Sequence, residues 1–256
     1  MEIINSLNIT PQSKVNYRNL LKILERDGYS FKYNIQETVQ FLSSYPIRTA
    51  YNLLNVIFVI RKALNENMDQ YAELRSQMSE ELQTQVHQKL SELHVMSTES
   101  FLKLMNQLYT NREYLKYILN YLCYYFGVRN EDLRLNIGQQ KDNFLIKIKE
   151  GILYVRQNYK TFATYGVKRH IITDKKFIDS YNNLPNGEIY EGKTISNFLK
   201  KQLILPENLI FKMRIKELEE KGDRKSIIEL SDNRGTALET VLNSYNINNK
   251  KYVIKK

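Results

Sequence analysis

Residues 144–173 read FLIKIKEGILYVRQNYKTFATYGVKRHIIT, and the hydrophobic period of this stretch differs from that of everything around it. Apolar, β-branched and aromatic side chains alternate with polar ones, or run together, over about Phe144 to Lys149, Gly151 to Gln157 and Gly166 to Ile172. That is the two-residue period of strands, not the 3.6-residue period of helices. Glu150-Gly151 and the segment around Lys160 separate the three lengths. The stretch predicts a small antiparallel sheet of three strands over about 144–172.

Working outward, the chain on both sides has helical spacing. Before the sheet, Ser97-Thr98-Glu99-Ser100 looks like a helix cap, and Phe101, Leu102, Leu104, Leu108, Leu115, Ile118, Leu119 and Leu122 recur as core positions up to about residue 126. Earlier still, residues 13–95 form a succession of amphipathic helices. One of these is stopped by Gly28, and another, PIRTAYNLLNVIFVIRKALNEN, is opened by Pro46 and apolar around most of its circumference. From Met68 to about Leu93 the residues are charged and carry few apolar anchors, which predicts a solvated helix leading to an inter-domain connection. After the sheet, KKFIDSYNNLP, TISNFLKKQL, ENLIFKMRIKELEEKG, RKSIIELSDN and GTALETVLNSYN are all helical by spacing and capping. The expectation is a mostly α chain with two domains: an all-helical one over 1–95, and an α+β one over 96–256 that carries the sheet.

Composition narrows the classes. The 256 residues are 42% hydrophobic and 26% charged, which is ordinary for a globular chain, and nine Gly with four Pro are too few for a turn-rich all-β protein. One cysteine, Cys123, excludes an internal disulfide framework and a Cys-cluster zinc site, and fits a reducing compartment. His87, His94 and His170 have no ligand spacing, so no metal or other cofactor is expected. The opening MEIINSLNITPQSK lacks the pattern of a secretory signal, and the longest apolar run, Val56 to Ile60, is far short of the ~20 residues of a membrane helix.

Charge points to a polyanion. Lys and Arg number 38 against 28 Asp and Glu, a net +10. Between Lys147 and Lys176 the excess concentrates: Lys147, Lys149, Arg156, Lys160, Lys168, Arg169, Lys175 and Lys176 face only Glu150 and Asp174, eight minus two or +6. Such a density suits DNA, where each phosphate neutralised releases condensed counterions. The alternative is a basic surface that serves solubility alone.

The stretch YYFGVRNEDLRLNI, residues 124–137, places Gly127 and Arg129 at a helix end, followed by Asp132, Leu133 and Asn136. It resembles the first arginine box of the tyrosine recombinases, Gly-x-Arg-x-x-Glu-Leu-x-x-Leu, with Asp132 at the acidic position and Asn136 at the last leucine. Tyr159-Lys160-Thr161 with Tyr165-Gly166 is similar to the hairpin-lysine motif of that family in integrases of large DNA viruses and their satellites. Arg214 precedes Tyr245 by 31 positions, the separation of the family's second arginine from its tyrosine nucleophile. Pro46-Ile47-Arg48-Thr49-Ala50-Tyr51 resembles a helix of its SAM-like core-binding domain.

The resemblance implies a SAM-like helical domain and an α+β catalytic domain that together bind double-stranded DNA as a homo-oligomer, inside a cell and associated with DNA, in host cytoplasm or nucleus if viral. It implies strand cleavage and rejoining through a 3′-phosphotyrosine, without a metal. Arg129 and Arg214 would hold the phosphate, Lys160 would protonate the leaving 5′ oxygen and Tyr245 would attack. Lys147, Lys149, Arg156, Lys168, Arg169, His170 and Arg48 would contact DNA. Two family positions depart: Phe211 stands where a histidine or lysine precedes the second arginine, and Thr236 where a histidine or tryptophan precedes the tyrosine. Those departures keep a catalytically lapsed DNA-binding protein in view, beside a type IB topoisomerase-like enzyme. Each residue also has a structural alternative. Tyr245 reads equally as a packed aromatic, Arg129 as a cap on helix-terminal carbonyls, Arg214 as the ion-pair partner of Glu217 and Lys160 as a turn lysine.

Overall fold

The computed structural model describes residues 2–91, 96–192 and 194–245. The chain divides into two compact units, Met1–Lys89 and Leu90–Lys256. His94 and the residues after Tyr245 lie outside the described residues.

The first unit is helical: α1 (Glu2–Ser6), α2 (Pro11–Arg26), α3 (Ile35–Leu42), α4 (Ile47–Ala63) and α5 (Asp69–Ser91). Asn34 and Glu37 start α3 by reciprocal bonds, each side chain accepting from the other's backbone N–H at 2.9 and 2.7 Å. Leu53, Leu54, Val56, Ile57 and Ile60 of α4 are buried, so this helix forms the centre of the unit as its all-round apolar surface requires. Arg61 is buried with them. It donates to the Tyr33 carbonyl at 2.5 Å and pairs with Glu66 at 2.5 Å, and so closes the loop before α3. Arg48 is exposed in the first turn of α4.

The second unit begins with α6 (Thr98–Thr110), capped by Ser97 as expected, and α7 (Tyr114–Phe126). A 3₁₀ turn (Asn130–Leu133) leads into β1 (Leu135–Ile137), β2 (Asn143–Ile148), β3 (Gly151–Arg156), α8 (Phe162–Tyr165), β4 (Lys168–Ile172), α9 (Lys175–Asn182), β5 (Gly187–Glu188), α10 (Ile195–Gln202), α11 (Glu207–Glu220), α12 (Arg224–Arg234) and α13 (Leu238–Ser244).

The sheet is larger than the sequence suggests. β2, β3 and β4 form the expected antiparallel meander, but β1 pairs parallel to β2 and β5 antiparallel to β1, giving a mixed sheet in the order β4-β3-β2-β1-β5. Three and two residues are too short to show a period, so neither added strand is visible as alternation. Parallel neighbours ordinarily need a long crossover; here residues 138–142 suffice. Gly138 and Asp142 adopt left-handed φ values of 73° and 52°, and Asn136 Nδ2 ties the loop back to the Lys141 carbonyl at 2.8 Å.

One sheet face, with Leu145, Ile152, Tyr154 and Ile172, packs into a core shared with Leu119, Leu122 and Phe177 of the flanking helices. The C-terminal helices have their own core of Phe211, Ile215, Leu218, Ile227, Leu230 and Val241. The two cores meet at the end of α7. Gly127 ends that helix at φ 60°, and a Cβ there would lie 2.7 Å from the ring of Phe211. Gly127→Ala is therefore expected to cost about 1–3 kcal/mol, since it adds a left-handed side chain and a ring clash together. Urea denaturation measures this, and an unchanged midpoint would mean that the α7–α11 approach is loose.

Candidate functional site

The residue types singled out by the sequence gather at the C-terminal end of α12. Gly235 stops this helix at φ 63°, with its N–H bonded to the Asp232 carbonyl at 2.9 Å and that of Thr236 to Ser231 at 3.1 Å. The last carbonyls of a helix lack intrahelical donors and carry partial negative charge. Here cations satisfy them. Arg129 donates through Nη1 to the Arg234 carbonyl at 2.6 Å, and through Nη2 to the Gly235 carbonyl at 3.3 Å and to Thr236 Oγ1 at 2.7 Å. Arg156 donates to the Asn233 carbonyl, and the Thr161 hydroxyl to Gly235 at 3.0 Å. A Cβ on Gly235 would meet Thr161 Oγ1 at 2.3 Å, so only glycine lets the β3–β4 connection approach so closely.

Each donor is positioned by its own local structure. Asp132 Oδ2 accepts from the backbone N–H of Arg129 at 3.2 Å and from Arg156 Nη1 at 2.9 Å, and the Asp132–Arg156 pair is 1% and 0% exposed. Asn143 fastens the start of the Lys160 loop to this turn. Its Nδ2 donates to the carbonyls of Asp132 (3.1 Å) and Asn158 (2.8 Å), and its Oδ1 accepts from the N–H groups of Gln157 and Asn158 at 3.0 and 2.9 Å. The amide thereby uses all four of its bonds.

Arg234 lies on the inner side of the same turn. It donates to the Gly127 carbonyl at 2.8 Å, pairs with Glu207 at 2.5 Å, and sits 4.1 Å from the ring centre of Phe211 and 5.1 Å from that of Tyr245. Tyr245 meets Phe211 edge-on at 4.9 Å. Burial, and then the charge of Arg234, hold Arg129 below the ordinary arginine range, where a guanidinium is still protonated. Burial raises the Glu207 carboxyl against the pull of Arg234.

Measured against the sequence expectations, Arg129, the loop that carries Lys160, and Tyr245 all border the segment from Asn233 to Thr236. Arg214 does not join them: its Nη1 donates to Glu217 at 2.7 Å and to the Tyr124 hydroxyl at 3.2 Å. Arg234 supplies the guanidinium beside Tyr245 instead. The signal for it is the Arg-Gly-Thr that follows a helical run, because a glycine in that place marks the carbonyl end of a helix. Phe211 and Thr236, the two departures from the resemblance, have structural uses, Phe211 beneath Arg234 and Thr236 as an acceptor for Arg129.

The expected DNA contacts divide into two groups. Lys147, Lys149, Arg169 and the turn residue Lys160 are exposed, and Lys147 reaches Asn182 at 3.0 Å. Lys168 is partnered by Asp232 at 2.5 Å. Arg156 must be corrected: it is a fully buried structural cation with no surface to offer a phosphate. His170 must be corrected too, since its ring packs 4.6 Å from Phe126 and its Nε2 is buried without a partner among the described residues. Burial first, then the charges of Arg156 and Lys168, lower its pKa to about 4, so it is neutral and not a phosphate-binding cation. Comparison of the chain with protein-family models, with curated proteins and with solved structures yields no match.

The histidine sets a pH dependence. The unfolded chain protonates it near 6.5 and the folded chain only near 4, so its contribution to stability is complete above 6.5 and is lost as the pH falls through about 4. That loss is on the order of 3 kcal/mol. His170→Phe is expected to flatten the stability profile over this window in denaturation experiments, and a variant as acid-sensitive as the parent would contradict the assignment.

Proposed function

We propose that this chain binds double-stranded DNA and is a tyrosine-recombinase-type protein that cleaves and rejoins one strand through Tyr245. The observation that carries the reading is the meeting of three distant segments on one helix end. Arg129 from the end of α7 and Thr161 beside Lys160 both bond to Arg234–Thr236, which is itself the lead into the Tyr245 helix. The exposed cations Lys147, Lys149, Lys160 and Arg169 are available to contact phosphates.

In this reading Arg129 faces a non-bridging phosphate oxygen, where a fixed bidentate cation offsets the charge that develops on transfer. The Tyr245 oxygen attacks phosphorus as the bond from phosphorus to the 5′ oxygen breaks, and its phenolic proton passes to water. The 5′ oxygen departs with a proton from Lys160, and the resulting phosphotyrosine keeps the bond energy for rejoining. Arg234 is buried and acts as a positioning residue between Tyr245 and Glu207. The second reading, a recombinase-like protein that binds DNA without cutting it, is favoured by the ion pair of Arg214 with Glu217 and by the three protein oxygens that already accept from Arg129.

Incubation with nicked duplex followed by a denaturing gel separates the two. Cleavage gives a protein-linked DNA band that disappears in Tyr245→Phe and falls at least ~100-fold in Arg129→Ala, the scale of removing one transition-state donor, while duplex binding remains. Absence of an adduct with salt-dependent binding intact establishes the second reading, and an adduct that survives Tyr245→Phe overturns the assignment of the nucleophile.

A further inference from the structure

A recess of about 400 Å³ opens between α6, α7 and the start of α9, away from the turn that holds Arg129. Tyr117 and Tyr125, the first and last members of a tyrosine stripe, line it. Tyr117, Tyr121 and Tyr125 follow each other at four-residue spacing on α7, with ring centres 6.1 and 4.3 Å apart, and Tyr121 packs on buried Phe177 at 4.8 Å. An aromatic stripe at helical spacing is usually core, and the inner part of this one is. Its outer end emerges: Tyr125 is 42% exposed and Leu102 across the recess 36%. The rim carries Lys175, exposed, and Lys176, which is held over the Tyr109 ring at 5.6 Å. Asp174 also lines it. Its Oδ1 accepts from the Phe177 N–H at 2.8 Å and from the Tyr117 hydroxyl at 3.5 Å, while Oδ2 takes no hydrogen bond among the described residues. Burial raises the pKa values of all three phenols, so the stripe is a neutral platform.

We propose that this recess binds one unpaired nucleotide of a DNA substrate, its base stacked on Tyr125 and its phosphate beside Lys175. The chemistry favours that occupant over an apolar peptide. The volume suits a small planar ligand, the exposed wall is aromatic, the rim has two ammonium groups, and the chain has a strong excess of positive charge. The remaining acceptor of Asp174 is open to one N–H donor of an unpaired base, an exocyclic amino group or the thymine N3–H. Stacking on an aromatic ring is sequence-tolerant and is combined with phosphate-tracking cations in proteins that bind unpaired strands.

The inference rests on the DNA-binding reading above, and the test distinguishes their failures. Anisotropy titrations use a labelled intact duplex and the same duplex with a single extra cytosine or thymine. The parent is expected to bind both bulged duplexes about tenfold more tightly than the intact one, the scale of one base–aromatic stack, which is sequence-tolerant. Tyr125→Ala, a surface change whose folding is verified by circular dichroism, is expected to remove the gain and leave intact-duplex affinity unchanged. Equal affinity of the parent for intact and bulged duplexes, or a gain that survives Tyr125→Ala, overturns the recess as a base site while leaving DNA binding standing. Failure to bind any duplex at low salt overturns both.

Discussion

A helix that ends inside a protein leaves carbonyl oxygens that must find donors, and the whole C-terminal unit is organised around that need at the end of α12. Arg156 meets Asn233, Arg129 meets Arg234, Gly235 and Thr236, and Thr161 meets Gly235, while Arg234 reaches inward to Gly127. These bonds fasten the sheet, the end of α7 and the helix before Tyr245 to one another, beside the apolar core that the sheet shares with α7. Leaving any one carbonyl or guanidinium unpaired would cost on the order of 1–3 kcal/mol, which gives each of the arginines a structural role whatever else it does.

This arrangement separates the cations of the protein into two populations. Arg61, Arg156 and Arg234 are at most 5% exposed and are consumed internally, each against a carboxylate and one or more carbonyls. Lys147, Lys149, Lys160, Arg169 and Lys175 remain at the surface. Arg129 belongs to both, since its guanidinium is bound by the turn yet only half-buried. Counting charges along the chain overstates the positive surface for that reason. Of the eight basic residues from Lys147 to Lys176, Arg156 contributes nothing to the surface and Lys168 shares its charge with Asp232.

The period change at Phe144 was sufficient to locate the meander, and Ser97, Gly28 and Gly127 marked helix ends by their capping chemistry alone. β1 and β5 were not legible, because three or two residues carry no period, and β1 reaches β2 through a loop whose left-handed turns at Gly138 and Asp142 appear only in three dimensions. At the site, the sequence singled out Arg129, Lys160 and Tyr245 by order along the chain. Spacing could not decide which way Arg214 turns, and the nearby Glu217 and the Tyr124 hydroxyl capture it. Nor could it show that Arg156 lies inside the sheet's packed face, since alternation in a strand gives the side a residue faces and not what waits there.

The claim that the α12 turn holds sheet, α7 and tyrosine helix as one unit is tested most directly by amide hydrogen exchange in an Arg156→Met variant, which replaces the buried guanidinium with a side chain that cannot donate. Exchange is expected to accelerate together at β3, at residues 129–133 and at 233–244, because the Asp132 carboxylate and the Asn233 carbonyl lose their shared donor. Faster exchange confined to the neighbours of residue 156, with 233–244 as protected as in the parent, would contradict the account.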